Sequence, residues 1–205
     1  MDQGGEKMEK FIWSPSIEVE SNHGTREVSL YTHNVMKGNI FLTGEINEES
    51  ANAFLVKVMY LKSESGAPIN IFINSGGGEI NSGLIIYDVI KSLGDRVNLY
   101  CTGMAASMAA LIFSSGAKGR RFILPHSKTM IHEPLISNGV GGSATSIKDI
   151  SDSILKTKQI CNEILALNTG KSLEEINEIT RHDHYMNAEE SIEFGMCDSI
   201  ITELP

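Results

Sequence analysis

From residue 17 onwards, two patterns of hydrophobic residues alternate along the chain, one typical of strands and one typical of helices. Short apolar runs bounded by turn residues predict strands, and longer segments with apolar residues every three or four positions predict helices. The predicted strands are 17–19, 28–31, 40–43, 69–74, 97–102, 121–124, 129–132 and 199–202. The predicted helices are 48–62, 81–92, 108–115 and 146–167, and two more begin at the capping boxes Ser172/Glu175 and Asn187/Glu190. This alternation is typical of an α/β fold.

The first residues differ from this pattern. Segment 1–16 contains paired glycines, mixed charges and Pro15, which together predict a flexible or processed N-terminal arm. No linker, repeat or low-complexity tract interrupts residues 17–205, which we therefore predict to form a single domain. A chain of 205 residues is long enough to bury roughly 70% of its unfolded surface without disulfides.

The longest helical pattern, 146–167, carries a continuous apolar stripe. A helix of this length in a small domain can project from the body and need a second copy of the chain to cover its stripe. Packing across its own domain would cover the stripe equally well. The pattern therefore predicts either self-association or an internal helix, and leaves both open.

The chain is acidic, with a net charge of −9, which argues against a nucleic-acid partner because phosphates would be repelled. Its basic cluster, Lys118, Arg120 and Arg121, is predicted to be a solvated loop edge. The three cysteines lack both metal-ligand spacing and a secreted disulfide framework. No segment is long and apolar enough to span a membrane. We therefore expect a cytoplasmic protein without bound metal or membrane contact.

Ser107 lies where the predicted strand 97–102 gives way to an apolar helix, within the glycine- and alanine-rich segment 101–110. A serine at such a junction is presented at a helix N-terminus, whose free amides favour the negative charge that develops in acyl transfer. The alternative is an ordinary N-cap, since serine is among the commonest capping residues. Ser107 is thus a candidate nucleophile, with the capping role left open.

A nucleophilic serine needs a base, and six histidines compete for that role. His132 is the best placed, because it closes the predicted strand 129–132 just before Pro134. A histidine that ends a strand can also be purely structural. Segment 74–79 carries three consecutive glycines, whose backbone amides could line an oxyanion hole or simply form a turn.

Seven segments follow one another along the chain as an ordered series of motifs: FLTGE (41–45), INSGGG (73–78), GLIIYD (83–88), GMAASM (103–108), GAKGRRF (116–122), MIHEP (130–134) and NAEE (187–190). Together they resemble ClpP, the proteolytic subunit family of the Clp ATP-dependent proteases. The resemblance covers roughly residues 25–203, and an ordered series of motifs is more specific than any one of them. It implies a ClpP/crotonase-like superhelix of strand-strand-helix units, with a protruding handle over about 136–168.

The resemblance also implies roles for individual residues. Ser107 would be the nucleophile, His132 the general base and Asp183 the carboxylate that orients it; nothing else in the sequence selects Asp183. The backbone amides of Gly78 and Met108 would form the oxyanion hole. The implied activity is serine endopeptidase cleavage of peptides or unfolded proteins through an acyl-enzyme, without a cofactor in the chain.

The implied assembly is a heptameric ring, stacked in pairs into a tetradecamer around an enclosed chamber. ATP would enter only through a partner AAA+ unfoldase. The sequence departs from the family at Gly76, where members usually have proline, and at His182, where they usually have arginine. Three alternatives stay open: a catalytically silent structural subunit, a specialised or phage-type protease that needs no unfoldase, and an acyl-CoA enzyme of the related crotonase architecture.

Overall fold

The computed structural model describes residues 15–21, 24–64, 66–136, 139 and 141–205. The chain divides into two compact units, one that ends at Lys37 and one that spans Gly38–Pro205. Most of the predicted N-terminal arm, residues 1–14, lies outside the described residues. The single domain over 17–205 stays a prediction.

The first unit contains an antiparallel hairpin of β1 (Ser16–Ser21) and β2 (Gly24–Ser29), followed by α1 (Leu30–Met36). The predicted strand 28–31 is therefore wrong in its second half. The side chain of Ser29 accepts a hydrogen bond of 3.0 Å from the backbone N–H of Thr32, which starts the helix one residue after Ser29. An N-cap outweighs the strand propensity of the apolar residues that follow it.

The second unit alternates strands and helices as the hydrophobic pattern predicts. Its strands are β3 (Asn39–Ile46), β4 (Ile69–Gly78), β5 (Val97–Ala106), β6 (Arg121–Ile123), β7 (Lys128–Ile131), β8 (His184–Met186) and β9 (Ser199–Ile200). Its helices are α2 (Glu48–Glu64), α3 (Ile80–Leu93), α4 (Met108–Ser114), α5 (Ala144–Thr169), α6 (Leu173–Ile179) and α7 (Ala188–Phe194). The α/β class is confirmed, and β8 is a strand that the pattern did not predict.

The strands of the second unit form a mostly parallel sheet in the order β3-β4-β5-β6-β9. β5 changes neighbours along its length, since residues 99–101 pair with β6 and residues 104–106 pair with β7. β8 then pairs antiparallel with β7. The carboxyl ends of β5 and β7 therefore lie side by side, and the residue after each strand is Ser107 or His132.

α4 is the centre of the core, because all seven of its residues are buried. It packs against β4, β5, α3 and α5. This burial explains the compact apolar run after Ser107, and each buried Leu, Ile or Phe side chain contributes about 1.5–3 kcal/mol to stability. A rigid, fully packed helix thus fixes the backbone directly after Ser107.

α5 behaves differently along its length. Its N-terminal part is exposed and carries the exposed apolar side chains of Ile147, Ile150 and Leu155, whereas Cys161 and Leu165 are buried against the body. Internal packing is thus confirmed for the C-terminal part of the helix, whereas self-association through the exposed part stays a prediction. In the described part of the chain, no helix combines the length and apolarity needed to cross a membrane.

Arg121 is buried rather than solvated, so the prediction of a loop edge is wrong at this residue. Its guanidinium forms an ion pair of 2.6 Å with Asp198, and it also donates to the carbonyls of Gly195 at 2.8 Å and Asn168 at 3.2 Å. These contacts join the start of β6 to the ends of α5 and α7. Each of the three guanidinium nitrogens has at least one acceptor, so the buried charge of Arg121 is paired and hydrogen-bonded.

Candidate active site

Ser107 adopts a strained backbone conformation at the junction of β5 and α4. Its φ is +54° and its ψ is −123°, and among the described residues it is the one residue other than glycine with positive φ. Its backbone N–H donates to the carbonyl of Met130 at 2.8 Å, which ties the junction to β7. Non-glycine residues are held in such conformations only where the surrounding structure enforces them, which is common at functional sites.

The side chain of Ser107 does not cap α4. Its Oγ lies 2.9 Å from Nε2 of His132 instead. The capping alternative therefore does not describe this serine, whose hydroxyl is directed at an imidazole. The geometry is that of a hydroxyl whose proton can pass to a base.

Asp183 completes the set, with its Oδ1 at 3.1 Å from Nδ1 of His132. The register of the sheet explains this contact, because Ile131 of β7 is paired with His184 of β8. In an antiparallel pair, the residue after Ile131 faces the residue before His184. β8 is the signal that could have identified Asp183 in the sequence, but a strand of three residues leaves too short a pattern to recognise.

The His132 and Asp183 side chains differ in their exposure to solvent. The His132 side chain is 16% exposed, whereas that of Asp183 is 57% exposed. An exposed carboxylate is well solvated, so its charge is strongly screened by water. An acceptor at Nδ1 favours the tautomer that carries its proton there, and in that tautomer Nε2 can accept from Ser107.

The glycine-rich segment is part of β4 and not a loop after it. Gly77 and Gly78 pair with Glu45 and Ile46 of β3, so the strand predicted to end at residue 74 continues to Gly78. Their φ values are +95° and +153°, which glycine adopts readily and other residues do not. Sequence patterns rarely place three glycines in a strand, because glycine weakens it.

Gly77 packs directly against the Ser107 junction. A Cβ atom there would lie 2.7 Å from the Ala106 carbonyl oxygen, 2.7 Å from Ser107 Cβ and 3.0 Å from the Met108 nitrogen. Its own N–H donates to Oγ of Ser75 at 3.0 Å. The absence of a side chain at Gly77 thus allows β4 to approach the candidate nucleophile.

We expect Gly77→Ala to slow reaction at Ser107 by about a hundredfold, because the methyl group must displace the serine by roughly an ångström. The rate of Ser107 acylation and the thermal unfolding midpoint would be measured together. Gly76→Ala is the matched control, since a Cβ at Gly76 meets nothing within 4 Å. Equal rates for both variants would show that the close contact has no role in the site.

Ser107 and His132 open into a cleft of about 730 Å³. Gly78 and Met108, the two predicted oxyanion donors, also line this cleft. Their role as donors stays a prediction. The remaining lining residues are Glu45, Glu79, Ile80, Asn81, Leu111, Ile131, Pro134, Leu135, Thr157, Cys161 and Leu165. The cleft combines apolar side chains with a few polar and charged ones, as binding sites for organic ligands do.

Cys161 is the one cysteine that lines the cleft, and it does not compete with Ser107 as a nucleophile. Burial raises the pKa of the Cys161 thiol to about 11. A thiol of this pKa is protonated at neutral pH, and only the thiolate is a strong nucleophile. In the described part of the chain, no three histidine, cysteine, aspartate or glutamate side chains converge in the way that metal ligands do.

A serine hydroxyl, an imidazole and a carboxylate joined in this order form the constellation of serine hydrolases, here on a mostly parallel α/β fold. The family model described as Clp protease matches residues 22–204. The chain therefore belongs to the Clp protease family, and the family resemblance of its motifs is confirmed. Membership supports a protease of the ClpP type, and members of the family generally form oligomeric rings.

Proposed function

We propose that this chain is a serine endopeptidase that cleaves peptides or unfolded proteins at Ser107. The observation that carries the proposal is the unbroken set of contacts Ser107 Oγ to His132 Nε2 at 2.9 Å and His132 Nδ1 to Asp183 Oδ1 at 3.1 Å. The strained φ of Ser107 adds support, because strain of this kind is retained where it presents a reactive group.

In the first half of the reaction, Oγ of Ser107 attacks the carbonyl carbon of the scissile peptide while Nε2 of His132 accepts the hydroxyl proton. The carbonyl oxygen becomes an oxyanion, which the backbone N–H groups of Gly78 and Met108 stabilise. His132 then donates its proton to the leaving amine, so the C–N bond breaks and an ester to Ser107 remains.

In the second half, His132 accepts a proton from water as the water attacks the ester carbon. The new carboxylic acid leaves and Oγ of Ser107 regains its proton. Asp183 holds the imidazole in one orientation throughout. No step draws on a metal or an organic cofactor, so ATP enters the proposal only through a separate unfoldase.

The proposed working form is a homo-oligomer, a heptameric ring stacked on a second ring. Support comes from α5, whose exposed N-terminal part carries Ile147, Ile150 and Leu155, an apolar stripe that a second copy would cover. An AAA+ unfoldase is the proposed partner that would feed protein substrates into the enclosed chamber. The proposed compartment is the cytoplasm.

The test is to incubate the purified chain with an unfolded protein and with short fluorogenic peptides, and to identify the products by mass spectrometry. We expect new peptide termini in the wild type and none with Ser107→Ala, at the same oligomeric state. Assembled wild-type protein that cleaves neither substrate would favour the catalytically silent subunit instead.

A further inference from the structure

One short stretch of α5 contacts both segments that carry the imidazole and the carboxylate of the proposed site. Lys158 and Asn162 are four residues apart on the helix and so lie on the same face. Lys158 contacts the segment after β7, and Asn162 contacts the segment between α6 and β8. Neither residue lines the cleft itself.

Lys158 forms an ion pair with Glu133, the residue directly after His132. The Nζ of Lys158 donates to Oε2 of Glu133, and the two side chains are 27% and 37% exposed. A partly exposed pair adds little to overall stability, because solvent screens it. Its geometric effect is to connect α5 to the residue next to the imidazole.

Asn162 is almost completely buried, with 1% of its surface exposed. Its Nδ2 donates to Oδ1 of Asn177 at 2.8 Å and to Oγ1 of Thr180 at 3.3 Å. Its Oδ1 has no hydrogen-bond partner among the described residues. An unpaired buried acceptor costs about 1–3 kcal/mol. An apolar side chain at this position would avoid the cost of the unpaired oxygen. What asparagine adds here is therefore its two donated hydrogen bonds.

Thr180 joins the two contacts into one structure. It is fully buried, and its carbonyl accepts from the backbone N–H of Glu133 at 2.7 Å. Thr180 lies three residues before Asp183, and Glu133 lies one residue after His132. The segment held by Asn162 and the segment held by Lys158 are therefore bonded directly to each other beside the His132–Asp183 contact.

We propose that Lys158 and Asn162 are positioning residues that set the alignment of His132 with Asp183. The inference rests on the proposed function, because it concerns the same imidazole and carboxylate. α5 contributes Thr157, Cys161 and Leu165 to the lining of the cleft, and the adjacent face of the same helix contacts the segments that carry His132 and Asp183. Substrate binding and base alignment thus depend on one helical segment through different side chains.

Lys158→Met and Asn162→Leu test the proposal, because each keeps the size of the side chain and removes its donors. We expect each variant to lower kcat about tenfold and the pair about a hundredfold, with KM within twofold, since misalignment affects the chemical step and not the cleft. Lys158→Arg should restore most of the rate. Gln159→Ala, an exposed residue of the same helix, is the control and should leave kcat unchanged.

The same variants are then placed in an Asp183→Asn background. If they act through the His132–Asp183 contact, they should lower kcat less than twofold there, because the interaction that they support is already lost. An equal fall in both backgrounds, or an effect on KM alone, would overturn the proposal. Full activity of Asp183→Asn alone would overturn the proposed role of Asp183 and this inference with it. Full activity of Ser107→Ala would overturn the proposed function itself.

A crystal structure of the paired variant tests the alignment without any substrate. We expect the His132 Nδ1 to Asp183 Oδ1 separation to exceed about 3.5 Å, beyond hydrogen-bond distance. A separation still near the 3.1 Å of the wild type would overturn the positioning role, whatever the activity of the protein.

Discussion

Replacement of Ser107 by alanine is expected to lower kcat/KM for peptide hydrolysis by at least about ten-thousandfold. In the proposed mechanism Ser107 supplies the atom that attacks the substrate. The Cys161 thiol in the same cleft is a poor substitute, since burial raises its pKa to about 11. Hydrolysis of a fluorogenic peptide measures the loss. Ser115→Ala is the matched control, because Ser115 is a buried serine at the far end of α4.

The loss in Ser107→Ala should not be additive with that in His132→Ala. The two side chains act as one unit through their 2.9 Å contact, so the double variant should be about as slow as either single variant. Asp183→Asn should cost less than either, because the carboxylate orients the base and does not itself transfer the proton. Additive losses would mean that Ser107 and His132 act independently.

The second large effect concerns stability and not chemistry. We expect Asp198→Asn to lower the free energy of unfolding by about 3–5 kcal/mol, because it leaves the buried Arg121 guanidinium without its counter-charge. The Arg121 and Asp198 side chains are only 4% and 13% exposed. Asp152→Asn is the control, since its pair with Lys148 is largely solvated and should contribute less than about 1 kcal/mol. Denaturant unfolding at fixed protein concentration measures both.

The same pair predicts how stability depends on pH. Burial alone would raise the pKa of the Asp198 carboxyl, but the hydrogen bonds and charge of Arg121, with backbone N–H groups of Arg121 and Gly119, outweigh it and lower the pKa. A lowered pKa means that the folded state binds this proton more weakly than the unfolded state does. The stabilisation is therefore complete above the unfolded pKa of about 4 and is lost as pH falls through the folded pKa.

The difference in unfolding free energy between the wild type and Asp198→Asn should accordingly stay constant from about pH 5 to pH 8 and shrink below about pH 4. Unfolding curves at several pH values measure it. A difference that grows as the pH falls would show that Asp198 is not held as the carboxylate partner of Arg121.

Periodicity predicted most of the fold because the strands and helices of this protein bury one face or both. The predicted helix 48–62 and the observed α2, Glu48–Glu64, differ by two residues at one end. The pattern failed where a local interaction outweighs periodicity, as at the Ser29 N-cap that starts α1, and at the glycines that continue β4. A capping hydrogen bond and a run of glycines both leave the spacing of apolar residues unchanged, so periodicity does not detect them.

The candidate site was predictable only in part, because some of its contacts join residues that are far apart in the sequence. Ser107 and His132 each lie near the end of a strand with a clear pattern, so local reasoning could name both as candidates, and the family resemblance then selected them. Asp183 and Arg121 depend on contacts across 51 and 77 residues of sequence. Whether a charged residue is exposed or buried in such a contact is decided by the tertiary structure, which local patterns do not contain.

The most direct test of the central claim is the intact mass of the protein after incubation with a serine-reactive fluorophosphonate, with wild type and Ser107→Ala compared in one experiment. An activated Ser107 predicts one adduct per chain in the wild type and none in the variant. An unmodified wild type, or an adduct that persists in Ser107→Ala, would contradict the assignment of Ser107 as the nucleophile.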